Sequence, residues 1–209
     1  MSSFRNTDIL IIGSGLSGLS AALMLPDNLK ITLITKTTLD ECSTSWAQGG
    51  IASVLSNDDK FDIHIEDTLT NGHGLNNRDV VEKIIKNGAS MINWLVNQKI
   101  KFSNKNRKLD LTLEGGHSKR RIVHAKDQTG KIIHDSLDKI ARNKKNITVK
   151  ENLQVIDVIC RGNSENKYCI GAYVYGSEIN KVITYSSKKV ILATGCLLYT
   201  SDAADESVG

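Results

Sequence analysis

One local pattern constrains this chain more than any other. Asp8–Ile12 reads DILII, Gly13-Ser-Gly-Leu-Ser-Gly18 follows at once, and Leu16, Leu19, Ala22 and Leu23 then recur at helical spacing until Pro26. Lys30–Thr35 (KITLIT) is a second short apolar run. Strand, glycine turn, helix and strand within about 30 residues make a βαβ unit. Such a unit commits the chain to an α/β fold whose parallel sheet is covered by helices. The glycine spacing G-x-G-x-x-G has a mechanism in this setting. Gly13 permits the tight turn, Gly15 lets the backbone approach a pyrophosphate, and Gly18 lets the helix pack closely on the sheet. The pyrophosphate is then expected at the helix N-terminus, where free N–H groups and the dipole favour negative charge.

The second strand departs from the usual dinucleotide pattern. An acid at its end commonly holds a ribose hydroxyl, but here the strand ends Thr35-Lys36, and a lysine cannot accept a hydrogen bond. That weakens the case for an ordinary NAD dehydrogenase without selecting another dinucleotide.

Elsewhere the pattern alternates between helix and strand. Asp79–Asn97 reads as an amphipathic helix with a capping box of Asp79 and Glu82 and an apolar face of Val80, Val81, Ile84, Ile85, Met91, Ile92, Leu95 and Val96. Gly88 inside that helix implies close packing at that point. Thr129–Asn143 reads as a second helix, with Ile132, Ile133, Leu137 and Ile140 inward. Asn146–Lys150, Leu153–Cys160, Tyr168–Tyr175, Lys181–Tyr185 and Lys188–Thr194 read as strands. Thr37–Gly50 reads as a loop and Phe102–Ala125 as irregular.

Composition narrows the function. The 209 residues carry a net charge of +4, with no basic stripe interleaved with aromatics, so a nucleic-acid partner is not expected. Cys42, Cys160, Cys169 and Cys196 form no CxxC pair, which argues against a zinc site or dithiol motif, and no metal is expected. No apolar run reaches the roughly 20 residues that span a bilayer, and the first residues lack a signal core. A cytoplasmic protein without a membrane partner is the expectation.

Ser43-Thr-Ser-Trp-Ala-Gln-Gly-Gly50 is a second glycine loop. Its run of small and hydroxyl residues can turn several N–H groups into one space, a nest suited to phosphate or to the polar edge of a flat ring. GSGLSGLSAAL, STSWAQGGIASV, HIEDTL, LEGGHSKRRIVHA and VILATG occur in that order. Together they resemble the succinate dehydrogenase/fumarate reductase flavoprotein family, and within it most closely the L-aspartate oxidase branch, over about residues 7–195. The resemblance implies a Rossmann-like FAD-binding domain with a β-rich insertion, present here in part, over residues 1–195. Cys196–Gly209 (CLLYTSDAADESVG) resembles translated sequencing-adapter sequence, and a non-native tail is expected there.

What the resemblance implies can be stated by residue. Ser14, Gly15, Leu16 and Ser17 contact FAD largely through backbone. Lys36 matches a lysine of the aspartate-oxidising branch. Ser43, Thr44, Ser45, Trp46, Ala47, Gln48, Gly49 and Gly50 line the isoalloxazine and pyrophosphate. Gln154 and Val155 offer a backbone contact to adenine, and Ala193, Thr194 and Gly195 close over the dinucleotide. Ser43 stands where the respiratory branch has a flavin-linking histidine, so the FAD is noncovalent. Glu114 stands where the dicarboxylate branch is uncharged. A carboxylate there can pair with the ammonium that distinguishes aspartate from succinate, orienting the substrate. His117 and Arg121 are supporting candidates beside it, with Arg120 and His124 in the same cationic run, while Glu66 and Asp67 read as helix-surface charges.

The implied reaction is oxidation of L-aspartate to iminoaspartate, the first step of de novo NAD biosynthesis. Hydride passes from Cα to the flavin and a proton to a base, with oxygen or fumarate as the final acceptor. Quinolinate synthase is the pathway partner this implies. The acid/base arginine of the family lies in segments not present here, so no residue of this chain is assigned that role and the chain alone is expected to be inactive. Two alternatives remain: a soluble fumarate reductase or succinate-oxidising flavoprotein, and a non-catalytic dinucleotide-binding fragment.

Overall fold

The computed structural model describes residues 3–195, so the expectation for Cys196–Gly209 lies outside the described residues. Along the chain run β1 (Ser3–Ile12), α1 (Leu16–Met24), β2 (Ile31–Ile34), the single turn α2 (Ser43–Trp46), β3 (Ile51–Ala52), α3 (Phe61–Asn71) and α4 (Arg78–Asn97). The short strands β4 (Asn104–Lys105), β5 (Lys108–Leu109), β6 (Leu111–Thr112) and β7 (Ile122–Val123) follow. Then come α5 (Thr129–Asn143), β8 (Ile147–Lys150), β9 (Leu153–Arg161), β10 (Tyr168–Gly176) and β11 (Lys181–Leu192). Two compact units result: residues up to Ser45 together with those from Leu137 onward, and Trp46–Ser136.

The first unit is built on a six-stranded sheet of order β8-β2-β1-β11-β10-β9. β1 runs parallel to both β2 and β11, and β2 runs parallel to β8. Leu10 and Ile11 are wholly buried although they point to opposite faces, as a central parallel strand requires. Leu10 and Ile12 pack with Ile34, Ala172, Val174, Ile183 and Tyr185. α1 buries Gly18, Leu19, Ala22 and Leu23, and it ends because Leu25, preceding Pro26, is forced into an extended conformation.

β9, β10 and β11 form the antiparallel part of this sheet. The sequence suggests two strands about Ser186-Ser187, but one continuous strand, β11, is found. Ser186 is registered against Gly171 and Asn6, and Ser187 against Thr7, so ladders on the flanking strands hold this polar dipeptide extended.

In the second unit, α3 and α4 pack through Ile65, Val81 and Ile85, with Val54 and Leu69 against them. The expected capping box does not form. Asn77 is the cap, its Oδ1 accepting the Val80 N–H at 3.2 Å, and Glu82 instead meets Lys86 at 2.9 Å. Only half of the expected apolar face is covered: Val81, Ile85, Ile92 and Leu95 are buried, whereas Val80, Ile84, Met91 and Val96 are exposed. A side chain at Gly88 would crowd Ser53 Oγ at 3.0 Å, which is the close packing that this glycine implies. The irregular stretch forms a three-stranded sheet of order β3-β7-β6, and the β6–β7 connection carries Glu114, His117 and, just before β7, Arg121.

Candidate functional site

The first glycine turn sits where β1 enters α1. Gly13 has φ +114°, and a Cβ on it would lie 2.1 Å from the Ala193 carbonyl oxygen. A Cβ on Gly18 would lie 2.0 Å from the Gly13 carbonyl oxygen. The fold itself therefore demands both glycines. Gly15 differs: its φ is −66° and its Cβ would meet nothing closer than Thr44 Oγ1 at 3.5 Å. The missing side chain there leaves room for something outside the chain.

The helix N-terminus supports that conclusion. The N-cap residue Gly15 has no side chain to offer α1, and no acidic residue occupies its first turn. The Leu16 N–H donates to Thr44 Oγ1 at 3.1 Å, tying the second glycine loop to the first. Ser14 is buried, its hydroxyl within 3.0 Å of Thr35 Oγ1 and 3.2 Å of the Leu39 carbonyl, so it braces the turn, whereas Ser17 is exposed. A phosphate group fits this helix end by charge, since no acid stands in its first turn, and by the space left at Gly15.

Other expected contacts gather at the carboxyl end of β2. Lys36 is exposed there. The Leu153 N–H donates to the Thr35 carbonyl at 3.0 Å, which brings the start of β9, with Gln154 and Val155, to the same strand end. Gln154 is exposed and Val155 is half-buried against the core. Ala193 follows β11 and donates to the Ile12 carbonyl at 2.7 Å, holding Ala193–Gly195 beside the glycine turn.

Sequence reasoning missed Glu151 in this region. Its carboxylate accepts the Leu39 N–H at 3.0 Å and a proton of Arg142 at 2.9 Å, pinning the segment after β2. Burial pulls its pKa upward, but the Leu39 amide and Arg142 hold it below the usual range. A glutamate just past a strand carries no local signal of such a role.

The second unit holds the remainder of the glycine loop. Trp46 is 77% exposed, and Ala47, Gln48 and Gly49 are exposed too. The Ala47 carbonyl accepts the Gly130 N–H at 3.0 Å. A Cβ on Gly50 would fall 2.4 Å from the Val123 carbonyl oxygen, so β7 backs directly onto this glycine. Gly49 stands beside Glu114, whose Oε2 lies 3.7 Å from the position a Cβ would take. Glu114 is exposed and, among the described residues, makes no ion pair.

The loop that carries Glu114 is anchored to a buried ionic cluster. Arg121 has no exposed surface; its Nε and Nη2 donate to the two Asp59 oxygens at 2.8 Å each, and its Nη1 donates to Asp67 Oδ2 at 2.6 Å. The reading of Asp67 as a surface charge is thus corrected: it lies on the α3 face turned to Arg121, with its side chain 17% exposed. Glu66, one residue away, pairs with Arg78 at the surface. His117 Nδ1 is 3.3 Å from Arg121 Nη1, and the His64 and His117 rings meet edge to face at 5.4 Å. His124 Nε2 is 3.8 Å from Asp110 Oδ2, and Arg120 donates to the Leu111 carbonyl.

His64 is 5% exposed, and its Nδ1 has no hydrogen-bond partner among the described residues. Burial, then Arg121, then His117 hold its pKa below the ordinary 6.5, against the pull of Asp59 and Asp67. The unfolded chain therefore takes up this proton at a higher pH than the folded one does. His64 contributes stability that is present in full above 6.5 and is lost as pH falls below it. The thermal midpoint is expected to drop as pH is lowered through that value, and His64→Phe should flatten the drop in a melting series.

Among the described residues, no group of His, Cys, Asp and Glu could hold a metal ion, and no helix is long and apolar enough to cross a membrane.

An open middle glycine, a helix N-terminus free of acidic residues and a parallel β1–α1–β2 unit define a dinucleotide-binding α/β protein. Residues 8–199 match the model of the FAD binding domain, and the chain belongs to that family. FAD is accordingly the cofactor. The chain is 43% identical to an L-aspartate oxidase of Yersinia pestis, covering 93% of this chain and 38% of that protein. It is 39% identical to an L-aspartate oxidase of Pseudomonas aeruginosa, covering 97% of this chain and 40% of that protein. The chain thus spans about two fifths of the length of these curated relatives. Among solved structures, a mutant E. coli quinol fumarate reductase FrdA superposes with a TM-score of 0.86 at 24% identity, covering 92% of this chain and 33% of that one. Mycobacterium smegmatis Sdh1 gives 0.82 at 24%, covering 92% and 34%. These likenesses are ones of fold.

Proposed function

We propose that the full-length protein carrying this chain is an FAD-dependent oxidase that converts L-aspartate to iminoaspartate, with oxygen or fumarate as electron acceptor. The observation that carries this reading is Glu114: an exposed carboxylate without an ion-pair partner among the described residues, set beside Gly49 of the second glycine loop. The identities with L-aspartate oxidases support it.

When bound, FAD supplies the two-electron acceptor. The chain's own residues bind and orient. Gly13, Ser14, Gly15, Leu16, Ser17 and Gly18 form the turn that takes the pyrophosphate. Lys36, Gln154, Val155, Ala193, Thr194 and Gly195 flank the dinucleotide, and Ser43–Gly50 take the flavin end noncovalently, since serine at 43 can form no flavin link. Glu114 pairs with the substrate ammonium, a charge-assisted bond that a dicarboxylate without an amine cannot make. His117 and Arg121 support Glu114. Proton transfer is assigned to no residue of this chain.

Replacing Glu114 by glutamine in the full-length protein tests the reading. A lost hydrogen bond to a charged group corresponds to a rise in KM for L-aspartate of roughly 10- to 100-fold. Inhibition by succinate should change little. Flavin bleaching under anaerobic conditions by succinate, and not by L-aspartate, would overturn the proposal in favour of a succinate-oxidising or fumarate-reducing enzyme.

A further inference from the structure

We infer that Asp67 is a positioning residue for Glu114, acting through a bracket that the Asp59–Arg121–Asp67 triad builds beneath the Glu114 loop. This rests on Glu114 being the substrate-orienting group.

The loop between β6 and β7 is closed at its neck, where the Arg121 N–H donates to the Thr112 carbonyl at 3.2 Å. Its far side is held by one face of α3. His64, Asp67 and Asn71 recur at i, i+3 and i+7, so they share a face. Asn71 Nδ2 donates to the Gly116 carbonyl at 2.9 Å. Both the N–H and the hydroxyl of Ser118 donate to Asp67 Oδ2 at 2.9 Å. Arg121 Nη1 reaches the same oxygen, so a single carboxylate oxygen ties the loop to the buried guanidinium.

Charge explains why this tie is firm. Two carboxylates face one guanidinium, leaving one negative charge in excess. The Ser118 donors offset that excess at Asp67, and they reach it only when the loop adopts this conformation. His117 Nδ1 lies 3.3 Å from Arg121 Nη1, which adds another hold on the loop. Leu113 and Gly115 are exposed, and a Cβ on Gly115 would meet nothing within 4 Å. The loop thus has a fixed heel at residues 116–121 and a tip whose one charged group is Glu114. The heel sets where that carboxylate stands; it does not touch substrate.

Asp67→Asn keeps the shape but turns one Arg121 contact into a meeting of charge with an uncharged amide. In the full-length protein the KM for L-aspartate should rise about tenfold, with the inhibition constant for succinate moving less than about twofold. Loss of packing alone would move both together, so equal shifts would overturn the inference. In a Glu114→Gln background the Asp67→Asn change should add nothing further to KM, because both act on one contact; additive effects would also overturn it. Ser118→Ala, which removes one hydroxyl bond, should show the same selectivity on a smaller scale if Asp67→Asn does not fold. A substrate-free readout separates this inference from the reading beneath it. Trypsin should cut after Lys119 or Arg120 faster in Asp67→Asn than in the parent chain, at unchanged cutting elsewhere. If that cleavage is unchanged the bracket is refuted. If it accelerates while L-aspartate proves not to be a substrate, the bracket stands and the assignment of Glu114 fails.

Discussion

Arg121→Met is expected to unfold the region Trp46–Ser136 under conditions where the parent chain is folded. The side chain has no exposed surface and meets Asp59 through two bonds and Asp67 through a third. Its removal leaves the Asp59 carboxylate, 1% exposed, without a counter-charge. Breaking a buried ion pair from one side costs about 3–5 kcal/mol. That is a large part of the roughly 5–15 kcal/mol that holds a typical domain together. Arg121→Lys should recover little, because a single ammonium cannot satisfy both Asp59 oxygens and Asp67 at once. Circular dichroism melts would show the effect as loss of the cooperative transition. The triple replacement of Asp59, Asp67 and Arg121 by apolar residues of similar volume offers the control. It should melt closer to the parent than Arg121→Met does, because no buried charge is left unpaired.

This cluster also shows where sequence reading stops. The partners of Arg121 lie 62 and 54 residues away, and nothing local marks Asp59 or Asp67 as different from Glu66, which stays at the surface. Burial of a charge is a property of the assembled unit. By contrast, α1, β2, α5 and the Asp8–Ile12 half of β1 were legible because their apolar spacing is local, whereas polar Ser3–Thr7 is held extended by its ladder to β11. The helix start at α4 was misplaced by one motif: Asn77 and Asp79 are both good caps, and only the backbone conformation decides between them. Half of the α4 apolar residues are exposed, because hydrophobic spacing identifies a helix without saying which neighbours cover it. The glycine turn was readable because Gly13 and Gly18 answer steric demands of the backbone, with Gly15 open between them. Glu114 was singled out only through resemblance, since an isolated loop glutamate carries no signal of its own.

The three glycines of the turn make the second large prediction, because they answer different demands. Gly18→Ala places a methyl 2.0 Å from a backbone oxygen of Gly13, and Gly13→Ala adds a strained φ of +114° to a separation of 2.1 Å from the Ala193 carbonyl oxygen. Neither neighbour is the end of a flexible side chain, so β1, α1 and the Ala193 strand end must part. Overpacking of an ordinary core costs about 1–3 kcal/mol, and these backbone overlaps belong at or above the top of that range. Both variants should lose folded protein as well as FAD. Gly15→Ala should behave differently. Its methyl meets only Thr44 Oγ1 at 3.5 Å in an allowed conformation, so the melting transition should survive with a cost of about 1 kcal/mol or less at this cap position. If the proposed site is right, the space that methyl fills is the pyrophosphate's, and overpacking there corresponds to a loss of FAD affinity of roughly 10- to 100-fold. Flavin content and melting temperature, measured on the same preparations of the full-length protein, separate the two outcomes. If Gly15→Ala retains parental flavin affinity, the open position beside α1 is not where the phosphates lie. If Gly18→Ala remains folded and flavin-loaded, the contact between α1 and the first strand is looser than these distances require.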